Sequence, residues 1–319
     1  MNILVTGAAG FIGFSLINEL VRNKKNYIVG VDNIDNYYSV KLKNKRINLL
    51  KKNKNFFFRK IDLTKYTILK NFLIKQKFDM IFHFAAQAGV RNVITNPKKY
   101  ISDNVLGFFN ILEIVLIIQP KKFFYASSSS VYGDTHQFPT RELTNLKPKN
   151  LYGLTKKFNE ELINLYCKNT KTKFIGLRFF TVYGEWGRPD MLLLKFMKSS
   201  LYKKIFKIHN YGKHIRDFTY IGDVVNILKK LIKKEQSKKH IILNICSSKG
   251  ISLKIVINKL LKLTNFKDIK KISAQKVEVV KTFGSNKSLL KIIGKYNFIK
   301  FNQGLRKTYS WFLLNKNLI

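Results

Sequence analysis

The chain opens with Ile3-Leu4-Val5-Thr6-Gly7-Ala8-Ala9-Gly10-Phe11-Ile12-Gly13, a short apolar strand that leads into a glycine-rich turn and a helical pattern. Strand, turn and helix in this order are typical of a dinucleotide site. The glycines permit a tight turn, and the free N–H groups at the helix N-terminus attract a diphosphate. The alternative interpretation is a helix cap on a structural turn.

A second predicted strand, Tyr27 to Val31, ends at Asp32, which lies 19 positions beyond Gly13. A carboxylate at this place suits the two ribose hydroxyls of NAD and repels the additional phosphate of NADP. The sequence therefore predicts NAD as the cofactor.

Further apolar runs recur at the spacing of alternating strands and helices. They are Phe56 to Ile61, Met80 to Phe84, Phe123 to Ala126, Phe174 to Phe180 and Ile241 to Ile245. Because these runs are almost continuously apolar, both faces of the sheet should be buried. We predict an α/β fold, a Rossmann-type doubly wound parallel sheet with a smaller, partly interleaved C-terminal substrate domain. The expected boundaries are 1–180 for the NAD-binding domain, with 217–247 returning to it, and 181–319 for the substrate-binding cap.

Polar and small residues follow these strands at the carboxyl ends, where ligands bind in such sheets. They include Asp62-Leu63, Ala85-Ala86 and the serines 127–130. Asp62 could equally cap a loop.

The stretch 151–156 places Tyr152 and Lys156 four residues apart on a predicted helix, with Asn150 as its cap. Residues at this spacing are neighbours, so the ammonium can favour the phenolate. Moving the pKa of a tyrosine from about 10 to about 7 takes roughly 4 kcal/mol, and such a tyrosine is a general base at neutral pH. The same spacing occurs elsewhere, at Tyr37/Lys41, Tyr66/Lys70 and Tyr296/Lys300, but only Tyr152/Lys156 follows a strand that ends in hydroxyls. The helix also carries an apolar stripe, expected to anchor it: Leu151, Leu154, Phe158, Leu162 and Leu165.

The formal net charge of +42 raises nucleic acid as a partner. The lysines are spread along the whole chain, however, and arginine, the usual reader of bases, occurs only nine times. We therefore interpret the charge as codon drift and expect no nucleic-acid partner.

Cys167 and Cys246 have no spacing for a disulfide framework or a metal site, which favours a reducing cytoplasm and no metal. No signal peptide is evident at the start of the chain. The most apolar run, Val105 to Ile118, carries Glu113 and is expected to be a buried helix too short to span a bilayer, so no membrane partner is expected.

After Gly184, two loops carry Arg188, Tyr211 and Arg216. Two arginines with aromatic neighbours suggest a diphosphate and a stacked base. The alternative for each arginine is a structural ion pair with Asp190 or Asp217.

These motifs resemble the extended short-chain dehydrogenase/reductase family, and most closely its UDP-glucuronate 4-epimerase branch. The stretches that carry the resemblance are 31–38, 85–91, 125–133, 177–184 and 186–191. It implies that Tyr152 is the base, that Lys156 holds the nicotinamide ribose and lowers the Tyr152 pKa, and that Ser128 hydrogen-bonds the reacting hydroxyl. It also implies an NAD site and a nucleotide-sugar site. The NAD site would comprise Gly7, Gly10, Phe11, Ile12, Gly13, Asp32, Asp62, Leu63, Ala85, Ala86, Tyr152 and Lys156. The nucleotide-sugar site would comprise Ser128, Ser129, Ser130, Thr181, Arg188, Tyr211 and Arg216.

The implied reaction is 4-epimerisation of a UDP-sugar through a 4-keto intermediate. Related 4,6-dehydratases place Asp-Glu where Ser129 and Ser130 stand, and related decarboxylases usually carry Glu at the Ser130 position. Hydroxyls bind a carboxylate but do not perform that acid/base work, which favours plain epimerisation of UDP-glucuronate. Arg91 is either a second partner of that carboxylate or a surface residue.

Two features depart from the family pattern. Lys276-Val277-Glu278-Val279 stands where Pro-Gly-Asp is usual, and Ser285 where Asp is usual, which affects the expected uridine contacts. The rival functions are UDP-glucose/UDP-galactose 4-epimerisation and, outside enzymes, an NAD-sensing module that binds nucleic acid. The resemblance also favours a homodimer.

Overall fold

The computed structural model describes residues 1–90, 92–274 and 278–319. The strands are β1 (Asn2–Thr6), β2 (Tyr27–Asp32), β3 (Phe56–Lys60), β4 (Met80–His83), β5 (Lys122–Ser128), β6 (Lys173–Phe179), β7 (Thr181–Tyr183), β8 (Phe206–Ile208), β9 (Ile215–Tyr220), β10 (His240–Ile245), β11 (Gly250–Ser252), β12 (Ile269–Lys271) and β13 (Lys281–Thr282). The α-helices are α1 (Phe11–Leu20), α2 (Val40–Leu50), α3 (Tyr66–Leu73), α4 (Pro97–Ile101), α5 (Gly107–Ile118), α6 (Leu151–Tyr166), α7 (Leu192–Leu201), α8 (Ile221–Lys233), α9 (Leu253–Thr264), α10 (Lys287–Ile293) and α11 (Phe301–Leu314). A π-helical turn, Ser102–Leu106, joins α4 to α5.

Seven parallel strands form the central sheet in the order β10-β6-β5-β4-β1-β2-β3. The direction of winding reverses between β1 and β4, and ligands bind at such a switch point in open α/β sheets. The predicted fold class is confirmed, because the strands found by their apolar runs are those of this sheet.

Both faces of the sheet are covered. Phe14, Leu16 and Ile17 of α1 pack on one face, and Phe108 and Ile111 of α5 pack on the other. Burial on both sides explains why the strands are apolar along their whole length.

The run from Pro97 to Ile118 forms a continuous helical stretch of 22 residues, which by length and composition is long enough to cross a membrane. The expectation that it is too short was wrong, because the helix begins at Pro97 and not at Val105. In this fold Phe108, Ile111 and Val115 are fully buried against the sheet, as expected for a core helix.

The smaller part of the chain contains two minor sheets. Strands β11, β9 and β13 lie side by side with β7 pairing to β9, and β8 pairs with β12. Helix α8 and strand β10 then return to the large sheet, and α9 to α11 follow. The division into an NAD-binding domain and a cap at the boundaries given above stays a prediction.

Helix α6 is oriented differently from the expectation. Leu154, Phe158 and Leu165 are 52%, 45% and 71% exposed. The inner face carries Lys156 and Glu160 instead, both 1% exposed. Of the predicted stripe, Leu162 packs against the core beside the buried Ile163, but much of the inward face is formed by polar groups in place of the other stripe residues.

Candidate active site

The glycine turn lies where β1 meets the carboxyl end of β4. Gly7 has a left-handed backbone (φ +72°), and a Cβ there would lie 2.6 Å from the Ala85 nitrogen. A Cβ on Gly13 would lie 2.2 Å from the Gly7 carbonyl oxygen. Helix α1 begins at Phe11, and Gly10 before it provides no side-chain cap. Its first N–H groups therefore face the turn, as a bound diphosphate requires.

Asp32 lies beside this turn at the end of β2. Its carboxylate accepts hydrogen bonds from the N–H of Ala9 (3.0 Å) and of Ile34 (2.8 Å). Burial raises the pKa of Asp32, and these bonds oppose the shift. A fixed carboxylate next to an uncapped helix N-terminus matches the donors and acceptors that the adenosine half of NAD requires.

One cleft at the carboxyl ends of the strands brings together all the residues predicted to hold NAD. They are Gly7, Gly10, Phe11, Ile12, Gly13, Asp32, Asp62, Leu63, Ala85, Ala86, Tyr152 and Lys156. Asp62 also caps its own loop, since it accepts from the N–H (2.9 Å) and the hydroxyl (2.8 Å) of Thr64. Both interpretations of Asp62 are thus compatible with its place in the structure.

The three predicted catalytic side chains converge in the same cleft. Ser128 ends β5 and forms a hydrogen bond with the side chain of Tyr152. Lys156, one turn further along α6, donates from Nζ to the carbonyl oxygen of Ala126 at 2.9 Å. Asn150 caps α6 as predicted and accepts from the N–H of Gly153 at 2.9 Å.

The pKa of Tyr152 shifts in the opposite direction to the expectation. Burial raises the pKa of Tyr152, while the hydrogen bond from Ser128 and the charge of Arg188 lower it in part. Burial lowers the pKa of Lys156 to about 8, and Glu160 opposes that shift. Burial thus outweighs the lowering effects and the net shift of the Tyr152 pKa is upward, while the Lys156 ammonium donates its hydrogen bond to a backbone carbonyl. The role of Lys156 in lowering the Tyr152 pKa stays a prediction.

A buried ion pair lies behind the catalytic helix. Arg178 donates to Glu160 through Nε (2.9 Å) and Nη2 (2.7 Å), and the Ser127 hydroxyl donates to the same carboxylate at 2.5 Å. This network ties α6 to β5 and β6, and so fixes Tyr152 relative to Ser128.

Arg188 lines the cleft and also forms the ion pair that was its alternative. Its guanidinium donates to Asp190 at 3.1 and 2.6 Å and lies 5.6 Å from the centre of the Tyr37 ring. Burial alone would lower the pKa of Arg188, but the Asp190 carboxylate raises it overall. Arg188 is therefore a permanent cation at the edge of the cleft.

The predicted substrate residues Ser129, Ser130 and Thr181 do not line the cleft itself, but they lie next to residues that do. Ser130 donates its N–H to the Ser128 hydroxyl at 3.1 Å, and Ser129 lies between them in a short helical turn. Thr181 lines a small adjoining cavity that shares Arg188 with the cleft. The structure does not bring Tyr211 or Arg216 to the lining of the cleft.

Tyr211 and Arg216 lie on the smaller part of the chain. Tyr211 is 55% exposed with a left-handed backbone (φ +50°). Arg216 donates to the carbonyl oxygens of Val279 (2.7 Å) and Val280 (3.0 Å). Lys276 and Val277, two of the positions that depart from the family pattern, lie outside the described residues. Arg91 also lies outside them.

Two basic residues near the cleft were not found from the sequence. Lys43 lines the cleft, donates to the Asp35 carbonyl oxygen at 2.5 Å, and has a pKa lowered by burial. Arg46 is completely buried. Both lie on α2, and nothing in a lysine-rich sequence distinguished them from surface residues.

Within residues 1–90, 92–274 and 278–319, no three His, Cys, Asp or Glu side chains lie close enough together to hold a metal ion. Both cysteines are buried and free.

The family model described as the NAD dependent epimerase/dehydratase family matches residues 3–246. The chain belongs to that family. The predicted family and the NAD dependence that it implies are confirmed. Protein CapI of Staphylococcus aureus is 43% identical over 238 residues, which cover 74% of this chain and 71% of that protein.

Two further similar proteins are named as UDP-glucuronate 4-epimerases. UDP-glucuronate 4-epimerase 4 of Arabidopsis thaliana is 40% identical over 230 residues, which are 70% of this chain and 52% of that protein. The chain thus spans about half the length of the plant enzyme. The crystal structure of UDP-glucuronic acid 4-epimerase from Bacillus cereus, in complex with UDP-glucuronic acid and NAD, superposes with a TM-score of 0.89 at 30% identity, covering 98% of this chain and 99% of that one.

Proposed function

We propose that this protein catalyses NAD-dependent 4-epimerisation of a UDP-sugar, and that its substrate is UDP-glucuronate. The observation that carries the proposal is the convergence of Ser128, Tyr152 and Lys156 at the switch point of the sheet, beside an uncapped glycine turn and Asp32. The two relatives named as UDP-glucuronate 4-epimerases support the choice of sugar.

The cofactor site fits NAD, because Gly7, Gly13 and the start of α1 accommodate a diphosphate and Asp32 accommodates ribose hydroxyls. NAD, when bound, accepts and returns the hydride of carbon 4 of the sugar. The protein's own contribution is to bind, to orient and to move a proton.

Tyr152 is the group that takes the proton of the sugar 4-hydroxyl and gives it back. Ser128 already forms a hydrogen bond with the phenol, so one hydroxyl can orient both the phenol and the substrate oxygen. Lys156 is held by Ala126 and places a buried positive charge one helical turn from the phenol. A 4-keto sugar that stays in the cleft can receive the hydride on its other face, which yields the 4-epimer.

The carboxylate of the sugar would meet hydroxyls and not acids. Ser129 and Ser130 follow Ser128 directly, and Thr181 lies in the adjoining cavity. Arg188 supplies the positive charge at this edge. We assign the diphosphate and base to Tyr211 and Arg216, which requires the smaller part of the chain to close toward the cleft.

We further propose a homodimer formed through α5 and α6. The outward face of α6 exposes Leu154, Phe158 and Leu165, and α5 exposes Ile117. The two helices touch through the rings of Phe109 and Tyr166, whose centroids are 6.4 Å apart. An exposed apolar face on two neighbouring helices matches a second copy of itself around a two-fold axis.

The buried free cysteines are compatible with a reducing cytoplasm.

The test is incubation of the purified protein with UDP-glucuronate and, separately, with UDP-glucose, followed by chromatographic separation of the products at high salt. The proposal expects UDP-galacturonate from the first sugar. Tyr152→Phe, which keeps the ring and removes the hydroxyl, should abolish turnover.

Two outcomes would point elsewhere. Interconversion of UDP-glucose and UDP-galactose without turnover of UDP-glucuronate would assign the neutral-sugar activity. Steeply salt-dependent binding of RNA or DNA, unaffected by Tyr152→Phe, would support the nucleic-acid-binding alternative instead.

A further inference from the structure

Arg46 of α2 is a completely buried cation with four hydrogen bonds. Its Nη1 donates to the carbonyl oxygen of Ala9 (2.7 Å) and to the hydroxyl of Tyr38 (2.8 Å). Its Nη2 donates to the carbonyl oxygens of Trp186 (2.5 Å) and Gly187 (3.1 Å). All four acceptors are neutral oxygens, and three of them are backbone carbonyls, so these bonds hold segments of backbone in place.

The acceptors belong to chain segments that lie next to residues lining the cleft. Ala9 is in the glycine turn, whereas Trp186 and Gly187 lie 140 and 141 residues beyond Arg46, in the loop before Arg188. A guanidinium is planar and presents its N–H groups in a fixed fork. One rigid group therefore sets the spacing between the dinucleotide turn and the loop that carries Arg188.

The loop requires such a restraint. Trp186 has a left-handed backbone (φ +59°), which bulky residues rarely adopt and which persists only where the surroundings enforce it. Its ring packs on Phe14 (5.1 Å) and Trp311 (5.2 Å), and its carbonyl is held by Arg46.

Arg188 follows this strained residue by two positions and faces the cleft. Its ring neighbour, Tyr37, precedes the Tyr38 that accepts from Arg46. Arg46 thus holds the backbone just before Arg188 and the side chain of Tyr38, which is next in sequence to the ring neighbour of Arg188.

We propose that Arg46 is a positioning residue, which locks the loop 184–188 to the glycine turn and so holds Arg188 at the place where it meets the anionic part of the substrate. This rests on the proposed function for the identity of the substrate. Arg46 itself does not touch the cleft.

The first experiment measures binding and not turnover. In a Tyr152→Phe background, isothermal titration calorimetry would determine the affinity for UDP-glucuronate of the variants Arg46→Lys, Arg46→Met, Arg188→Met and Arg46→Met/Arg188→Met. Each single variant should bind at least tenfold more weakly than the parent. The double variant should bind within threefold of Arg188→Met alone, because Arg46 acts through Arg188.

Three results would overturn the inference. The first is an Arg46→Met variant that binds UDP-glucuronate as tightly as the parent. The second is parental affinity in Arg46→Lys, which keeps the charge but lacks the fork. The third is a double variant whose loss of affinity equals the product of the two single losses. Arg59→Met removes an exposed arginine of β3 and serves as the control, with affinity expected within twofold of the parent.

A second measurement keeps the inference testable if the methionine variants fail to fold, and it needs no ligand. In Arg46→Lys, hydrogen–deuterium exchange should accelerate in residues 184–191 and stay unchanged in β10. Acceleration spread through the central sheet would assign Arg46 a general structural role and overturn the proposal. If the parent does not bind UDP-glucuronate at all, the proposed function fails, while the exchange result still decides the role of Arg46.

Discussion

The ammonium of Lys156 lies 6.0 Å from the centre of the Tyr152 ring and is hydrogen-bonded to the Ala126 carbonyl oxygen of the neighbouring strand. The lysine is therefore fixed by the sheet. Its charge lies beside the phenol, but its N–H donates to Ala126 and not to Tyr152. We predict that it acts on Tyr152 through its field, which requires that the lysine carry a proton.

Replacing Lys156 by methionine tests this arrangement. The change removes the charge and keeps the shape, so we expect the turnover number to fall by roughly 100-fold or more and the pH–rate profile to move to higher pH. Steady-state kinetics between pH 6 and about 10 would show both effects. An unchanged profile would contradict a role for this charge.

The same variant has a defined effect on stability. Burial lowers the pKa of Lys156 from 10.5 to about 8, so between these values the unfolded chain holds a proton that the folded protein has released. The free energy of unfolding of the natural protein should therefore rise with pH in that window, relative to Lys156→Met, by roughly 3 kcal/mol at most. Urea denaturation at a series of pH values measures this, and parallel curves for the two proteins would refute it.

Ser128→Ala should weaken catalysis through the acidity of its neighbour. The hydrogen bond from Ser128 lowers the pKa of Tyr152, so its loss raises that pKa further. We expect a fall in turnover of about 10- to 100-fold and a shift of the basic limb to higher pH. Ser128→Thr retains the hydroxyl and should recover most of the activity. Equal losses in both variants would indicate a steric effect in place of the hydrogen bond.

The fold was largely predictable because its signals are local. An apolar run buried on both faces identifies a parallel strand without knowledge of its neighbours, and the turn 7–13 followed by Asp32 fixes the cofactor end of the sheet. The length of the helix ending at Ile118 was not predictable, because Pro97 begins it and a π-helical turn carries it through polar residues. The outward orientation of Leu154, Phe158 and Leu165 on α6 was also missed. Periodicity identifies the apolar face of a helix, but it does not show whether that face packs on the sheet or faces outward.

A site residue was predictable only where the sequence around it distinguished it from similar residues. The pair Tyr152/Lys156 was distinguished from the three other Tyr/Lys pairs at the same spacing because a strand that ends in serines precedes it. Arg46 and Lys43 had no such signal, because their importance comes from burial beside the turn, and burial of a lysine or arginine depends on contacts distant in sequence. The direction of the Tyr152 pKa shift was missed for the same reason, since desolvation cannot be read from spacing.

The buried pair of Arg178 and Glu160 should be costly to break on one side. Arg178→Met leaves a carboxylate at 1% exposure without its partner, and we expect the free energy of unfolding to fall by about 3–5 kcal/mol. Arg178→Met/Glu160→Gln removes both charges and should recover a substantial part of that loss. Urea denaturation of the two variants measures the difference. With Glu160→Gln measured alongside them, a double variant destabilised by the sum of the two single effects would show that the charges do not act as a pair.

The exposed face of α6 gives a test of the proposed dimer. Phe158 is 45% exposed at the middle of the stripe, so Phe158→Glu would place a charge in the interface and oppose association of two copies. Sedimentation velocity should show a dimer for the natural protein and a dissociation constant raised at least 100-fold in the variant. Ile68→Glu, which changes a residue 59% exposed on α3, provides the matched control and should leave the dimer intact. Because the stripe shares α6 with Tyr152, the variant should also lose activity in parallel with dissociation as the protein is diluted. A natural protein that sediments as a monomer at all concentrations would contradict the assignment of this face.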